Sequence, residues 1–336
     1  MKRYLLLFLI TCVILPTTSS SEVKEINLNP LKNKPVFSLE VDLKGGSYAI
    51  EVNGMIILED YSDQGNIITT IPINHWMHNL NNEIALNIFP TNDGEAISSS
   101  VNFSITLIVS DFDSKDSKYY KVASIDYDGS LLNDTTRNSS KSGKYNSNNE
   151  FLNDDNGDVV VEDITREELD DSPGALYLKR KIIIPSSLPL WAFFKSDDFP
   201  MHNFAKSKED YMSGLNEILD KYLQVQKAIE TGDIDSVLPM FNERNSEYEK
   251  ALHISSGIMD KKVKDTLLDM SSDKDAELLI LTNKYVNIEV FPNNKLVRLT
   301  RGGTTPAIVQ NFKSFKGSQH FDMIFRYEKG KWILTR

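Results

Sequence analysis

The 336-residue chain has one cysteine, Cys12, so no disulfide can form within it and stability in an oxidising compartment must come from packing. It has one long apolar run, Tyr4–Leu15, whose twelve residues fall well short of the ~20 needed to cross a bilayer as a helix. No Gly-x-Ser-x-Gly elbow is present, and the five histidines show no partner pattern, so nucleophilic catalysis has no visible constellation. Gly302-Gly303 lacks the Lys-Ser/Thr and helix start of a phosphate loop. Positive charge is scarce too: 37 Lys and Arg stand against 48 Asp and Glu, a net of −11, which argues against nucleic acid and against an anionic membrane surface.

What is present starts at the N-terminus. Lys2-Arg3, the apolar run, the helix-breaking Pro16 and the small polar string Thr17–Ser21 together make a secretory signal peptide over 1–19, followed by a polar linker over 20–34. Small residues at Thr17 and Ser19 place the cut at Ser19/Ser20, and the mature chain is then free of thiols, with a periplasmic or secreted location. The alternative is lipidation. Leu9-Ile10-Thr11-Cys12 partly resembles a lipobox, and an acylated Cys12 would anchor the protein to a membrane.

With 40% hydrophobic residues and about 315 mature positions, two cores are the natural expectation. Charge helps to divide them. Residues 126–175 hold thirteen acidic against four basic residues, a net of −9, and residues 298–336 hold eight basic against two acidic, a net of +6. A solvated acidic loop and a basic sheet face explain this, unless the two attract each other or the basic end receives an anion.

From Val36 to about Ala123 the period is two. Phe37, Leu39, Val41 and Leu43 alternate with polar residues, and Asn53-Gly54 marks a hairpin between Tyr48–Val52 and Met55–Leu58. Strands over Asn66–Ile73, Glu83–Phe89, Val101–Ser110, Lys118–Ala123, Lys181–Ile184 and Leu190–Phe194 complete a β-sandwich over 35–195. The Ser-, Asn- and Asp-rich stretch 126–175 reads as a disordered insertion within it. The passage Ile71–Ile88, with its apolar anchor, Asn-bearing turn and Asn-x-Ile strand, weakly resembles immunoglobulin-like or jelly-roll accessory domains.

From Ser207 the period becomes helical. Leu215, Ile218, Leu219, Tyr222 and Ile229 form one stripe on a helix stopped by Thr231-Gly232. Asp233 opens a second helix tightened or bent at Pro239, a third spans Asp260–Met270, and Ala276–Leu281 adds a turn or two. Strands follow over Tyr285–Phe291, Lys295–Thr300, Ala307–Phe312, Gln319–Tyr327 and Trp332–Thr335. Tyr222–Phe241, where a helix ends at Gly-Asp and an apolar run closes on Phe, and Phe321–Leu334, with its Gly-Lys-Trp turn, resemble the nuclear transport factor two-like (SnoaL-like) cone fold. The resemblance covers about 125 residues. It implies an α+β domain over 207–336, with helices packed on a curved antiparallel sheet around a pocket, so the fold class is a mainly β sandwich plus an α+β domain.

Candidate chemistry is thin. His75 and His78 point to opposite sides on a strand and need a turn and further ligands to hold metal. Asp126–Gly129 and Asp154–Asp158 are fragments of cation loops without the full spacing, and abundant carboxylates select no acid–base pair. No metal or cofactor is assigned. Arg298 and Arg326 fall on the polar face of the cone's strands, as solvated residues or as receivers of a small anionic ligand; His320 is a poorer candidate. The expectation is an exported, non-catalytic binding module of the cell envelope, with an unknown protein or a small anion as partner. The alternative is a SnoaL-like small-molecule enzyme using the C-terminal pocket.

Overall fold

A computed structural model describes residues 34–62, 66–92, 94–113, 119–131, 159–169, 172–200 and 206–336. The signal segment with Cys12, nearly all of the linker and the fragment Asp154–Asp158 lie outside these described residues. The first ten strands are β1 (Pro35–Lys44), β2 (Ser47–Val52), β3 (Met55–Asp60), β4 (Asn66–Pro72), β5 (Leu80–Phe89), β6 (Asn102–Asp111), β7 (Tyr119–Asp128), β8 (Val160–Val161), β9 (Thr165–Glu168) and β10 (Leu176–Ile184). They form two antiparallel sheets, ordered β4-β1-β6-β7 and β3-β2-β5-β10-β8, with β9 also on β10.

The two-residue period sets the packing. Leu39 pairs with Ile71 on one side and Leu107 on the other, while Leu86 pairs with Ile50 and Leu178, so each sheet turns one apolar row inward. These rows share one core, a sandwich-like arrangement, in which Tyr48 of one sheet meets the edge of Phe103 of the other at 5.6 Å. Each fully buried aliphatic or aromatic side chain contributes roughly 1.5–3 kcal/mol before entropy is subtracted. Asn53 and Gly54 both take positive φ, 53° and 71°, as the hairpin requires.

Three features differ from the sequence reading here. β7 runs on to Asp128, and β8 and β9 pair with β10, so both ends of the expected insertion 126–175 are ordered strand. Tyr127 and Val159 supply the buried apolar contacts that the acidic composition concealed. Leu190–Phe194 is no strand. Residues Ala192–Lys195 form a 3-10 turn, because the Trp191 indole is tied by hydrogen bonds to the carbonyls of Asn74 at 3.0 Å and Met77 at 2.6 Å.

Beyond Ser207, helix α1 (Lys208–Thr231) starts where the Ser207 hydroxyl accepts from Asp210 N and ends at Gly232 with φ 74°. The second helix is not continuous from Asp233. Two 3-10 turns, Ile234–Ser236 and Leu238–Phe241, come first, since Pro239 has no N–H to give an α-turn, and α2 (Asn242–Ala251) follows. Helix α3 covers Ile258–Ser272. Where a helical turn was expected over Ala276–Leu281, its first half is a strand, β11 (Ala276–Leu278), paired with Gln310–Phe312.

The remaining strands are β12 (Asn287–Val290), β13 (Leu296–Arg301), β14 (Thr305–Pro306), β15 (Ile308–Phe312), β16 (Ser318–Phe321), β17 (Phe325–Glu328) and β18 (Lys331–Leu334). They make a sheet β11-β15-β16 and a sheet β12-β13-β17-β18 with β14 on β13. The single strand expected over Gln319–Tyr327 is therefore two, in different sheets. Asp322 breaks it by accepting the neighbouring Met323 N–H at 3.0 Å. The chain as described is mostly β, with several antiparallel sheets and few helices, and no described helix is long and apolar enough to cross a membrane.

A second core lies between α1, α3 and these strands, built from Leu215, Ile218, Tyr222, Leu267, Leu299 and Phe325 among others. The first core reaches it directly, because Ala251, Phe291, Leu296 and Ile324 pack into the sandwich-like cluster.

Candidate functional site

Where the two cores meet, the structure brings together three buried arginines, Arg298, Arg326 and Arg336. Arg298 on β13 is 7% exposed. Its Nε donates to Glu289 Oε2 at 2.9 Å, Nη1 to Asp322 Oδ2 at 2.9 Å and Nη2 to Glu59 Oε1 at 2.8 Å and Glu289 Oε1 at 3.1 Å. The β12–β13 register sets Glu289 directly opposite Arg298. Glu59 comes from β3, so this guanidinium ties the sandwich-like sheets to the later strands. Burial pushes the Glu289 carboxyl above its usual range, and the hydrogen bond from Arg298 opposes that shift.

Arg326 on β17 is fastened in the same way. Its Nε and Nη2 grip both oxygens of Glu243 on α2 at 2.7 Å, and Nη1 pairs with Glu328. A bidentate guanidinium–carboxylate pair is among the stronger polar contacts. Both arginines named from the sequence are thus buried and carboxylate-bound; neither is a solvated residue on an open polar face. The structure does not bring them into one anion-receiving cleft. Their acidic partners come from Glu59, Glu243, Glu289, Asp322 and Glu328, none of which belongs to the acidic stretch 126–175.

A third arginine, Arg336, completes the seam and has no sequence signature. Nη1 meets Glu247 Oε2 at 2.6 Å, Nη2 donates to the His75 carbonyl at 2.8 Å, and the guanidinium lies over the rings of Phe193 at 4.7 Å and Trp76 at 5.1 Å. Burial lowers its affinity for the proton, and Glu247 opposes that effect. Glu247 uses its other oxygen to accept from Ala192 N at 2.8 Å.

The turn that receives Arg336 is Asn74–Trp76, a 3-10 turn at the corner where the sequence placed its tempting histidine pair. The Asn74 amide, fully buried, takes Phe37 N–H and gives hydrogen bonds to the carbonyls of Pro35 and Ala251, both at 2.6 Å. One side chain thereby joins β1 to the end of α2. His75 stacks on Tyr248 with ring centres 4.1 Å apart, whereas His78 turns its Nδ1 to the Asn79 carbonyl, so the two rings do not converge. Among the described residues, no group of three or more His, Cys, Asp or Glu is placed to hold a metal ion. Ser318 Oγ and the His320 ring are hydrogen-bonded at 2.8 Å on an exposed strand.

The space between helix and sheet, where a cone fold would hold a small molecule, is filled. Tyr222 on α1 is fully buried, and its hydroxyl donates to the Met323 carbonyl while accepting Leu299 N–H at 3.0 Å. Phe325 packs on its ring at 5.6 Å, and Phe241 and Phe321 pack on each other in the same core. Burial raises the Tyr222 pKa well above its usual value, with the Asp322 charge adding to the effect, so the phenol stays protonated and serves as a hydrogen-bonding post. Sequence periodicity identified Tyr222 as core but carried no sign of its two polar contacts.

Concavities do occur on the outside. A trough of about 310 Å³ lies on the outer face of the first sheet, lined by Glu40, Asp42, Ile68, Thr70, Ser104 and Lys121. Another of about 280 Å³ lies beside the end of α2, lined by Lys34, Ser246, Glu249, Lys250, His253 and Ser256. No family model, curated protein or solved structure matches the chain.

Proposed function

We propose that this chain is an exported, non-catalytic binding module of the cell envelope. On this reading a β-sandwich domain is followed by a cone-like α+β domain that acts through its outer surfaces. The observation that carries the proposal is the filled helix–sheet layer. With Tyr222 hydrogen-bonded at its centre to Leu299 and Met323, the pocket that a SnoaL-like enzyme needs is occupied by the protein's own side chains. The fate of Arg298 and Arg326 supports the same view, because both guanidinium groups bind carboxylates of the chain itself, and Arg298 also lies over the Phe291 ring.

Two measurements on the protein recovered from its own cells test this reading. Intact mass distinguishes a chain cut near Ser19 from one carrying a diacylglyceryl group on Cys12, and an uncleaved mass overturns export. A thermal-shift screen against anionic metabolites is expected to leave Tm unchanged. A metabolite that raises Tm in the native protein, and is then turned over, overturns the non-catalytic reading in favour of the enzyme.

A further inference from the structure

The seam contains a titratable ring, that of His75, whose Nδ1 enters none of the contacts described above. His75 is 6% exposed, and its Nδ1 is buried without a hydrogen-bond partner. The groups around it come from four directions. Helix α2 contributes Tyr248, stacked on the imidazole at 4.1 Å, and Arg244, whose guanidinium lies 5.0 Å from the Tyr248 ring centre. The C-terminal strand contributes Arg336, bonded to the His75 carbonyl. Trp76 of the same turn lies 4.7 Å away, and Phe193 of the following 3-10 turn packs on Trp76. β1 contributes the uncharged Phe37 and Pro35, held by Asn74.

Two cations therefore face the ring. The nearby carboxylate Glu247 has both oxygens engaged, by Arg336 and by Ala192 N–H. Asp322 and Glu243, the other acidic groups in this region, are bonded to Arg298 and Arg326. Among the described residues, each of these carboxylates is already bound to another cation, and none is hydrogen-bonded to the His75 ring.

We propose that the His75 turn is an acid-sensitive catch between the two cores, closed while the imidazole is neutral and released when it takes up a proton. Protonation would add a third positive charge beside Arg336 and Arg244 at a buried ring whose nearby carboxylates are already bound to other cations. The ring can accept that charge only by leaving the seam. The turn cannot move alone, because its carbonyls hold Trp191 and Arg336, and its Asn74 side chain holds β1 and α2. Acid would thus loosen the joint while leaving the sheet ladders intact.

The sign follows from the direction of the shift. Burial, with Arg336 and Arg244 adding to it, holds the folded-state pKa well below 6.5. The unfolded state then binds more protons, so the stabilisation is fully present above about pH 6.5 and is lost as pH falls toward the folded-state value. With an unfolded pKa of about 6.5 and no proton on the folded ring, going from pH 7.5 to pH 5.0 raises the unfolding constant by at most about thirtyfold through this one group.

The test compares urea unfolding of the full chain with that of His75→Phe, which keeps the stacking and removes the titration, at pH 7.5 and 5.0. Between the two pH values the unfolding constant of the wild type is expected to rise more than that of the variant, by a factor of up to about thirty. Equal acid sensitivity in both overturns the proposal. Should the variant fail to fold, ¹³C-labelled histidine in the wild type decides. The His75 ring signal is expected to stay neutral in the folded chain down to the onset of acid loosening, and an ordinary titration near pH 6.5 without any loosening overturns it.

Discussion

Replacing Tyr222 with Phe removes one oxygen from the centre of the second core and changes nothing else in shape. The hydroxyl satisfies two buried backbone groups, Leu299 N–H on β13 and the Met323 carbonyl in the break between β16 and β17. Leaving a buried donor or acceptor unsatisfied costs about 1–3 kcal/mol, so the variant is expected to lose at least ~2 kcal/mol in urea unfolding at neutral pH, with an unchanged slope against denaturant. Tyr222→Ala should cost more, about 3–5 kcal/mol, and should leave a dry cavity that small apolar molecules can enter and partly restabilise. A loss below ~0.5 kcal/mol for Tyr222→Phe would refute the claim that this layer is a filled, hydrogen-bonded core.

Other positions give further checks. Asn74→Ala removes three buried hydrogen bonds, to Phe37, Pro35 and Ala251, and is expected to destabilise the chain by about 3 kcal/mol or more, measured by thermal or urea unfolding. Glu51, 6% exposed, has its pKa raised by burial, opposed by the hydrogen bond from Asn87, with Glu83 adding to the rise. A raised carboxylate pKa contributes stability below its unfolded value and loses it as pH rises. Glu51→Gln is therefore expected to raise Tm relative to wild type at pH 7.5, with the difference shrinking toward pH 4.5; a lower Tm at pH 7.5 contradicts this.

How much of this was readable from the sequence depends on which force fixes each element. Strand β1 is set by alternation from Phe37 to Leu43, and β6 by alternation from Phe103 to Leu107, which was legible in the sequence. The Asn53-Gly54 turn and the Gly232 stop are local backbone chemistry and were equally legible. Ala276–Leu278 was misread because three residues are too few to show a period, and its pairing with Gln310–Phe312 is a long-range event. Leu190–Phe194 has strand-like composition, yet the Trp191 indole is anchored by carbonyls more than a hundred residues earlier.

The seam was hidden for the same reason. The sequence places Arg298 and Arg326 on a polar strand face, as solvated residues or receivers of an anion, because their carboxylates lie up to 239 residues away along the chain and burial by distant elements leaves no local mark. Arg336, Asn74 and Glu247 gave no sign at all, since an isolated polar residue at a strand end or corner is ordinarily solvated. The basic excess over 298–336 has a physical explanation in hindsight. Three of its eight cations are internal fasteners whose partners lie mostly elsewhere in the sequence.

The central claim is that this buried seam makes the two cores open together. Hydrogen exchange of the full chain in increasing urea at pH 7.5 measures it directly, by comparing amides of Ile50 and Leu86 in the first core with those of Leu299 and Phe325 in the second. The expected result is one shared opening free energy and midpoint, which Arg336→Met splits into two. Separate midpoints in the unaltered protein, or an unchanged single midpoint in Arg336→Met, would contradict the account.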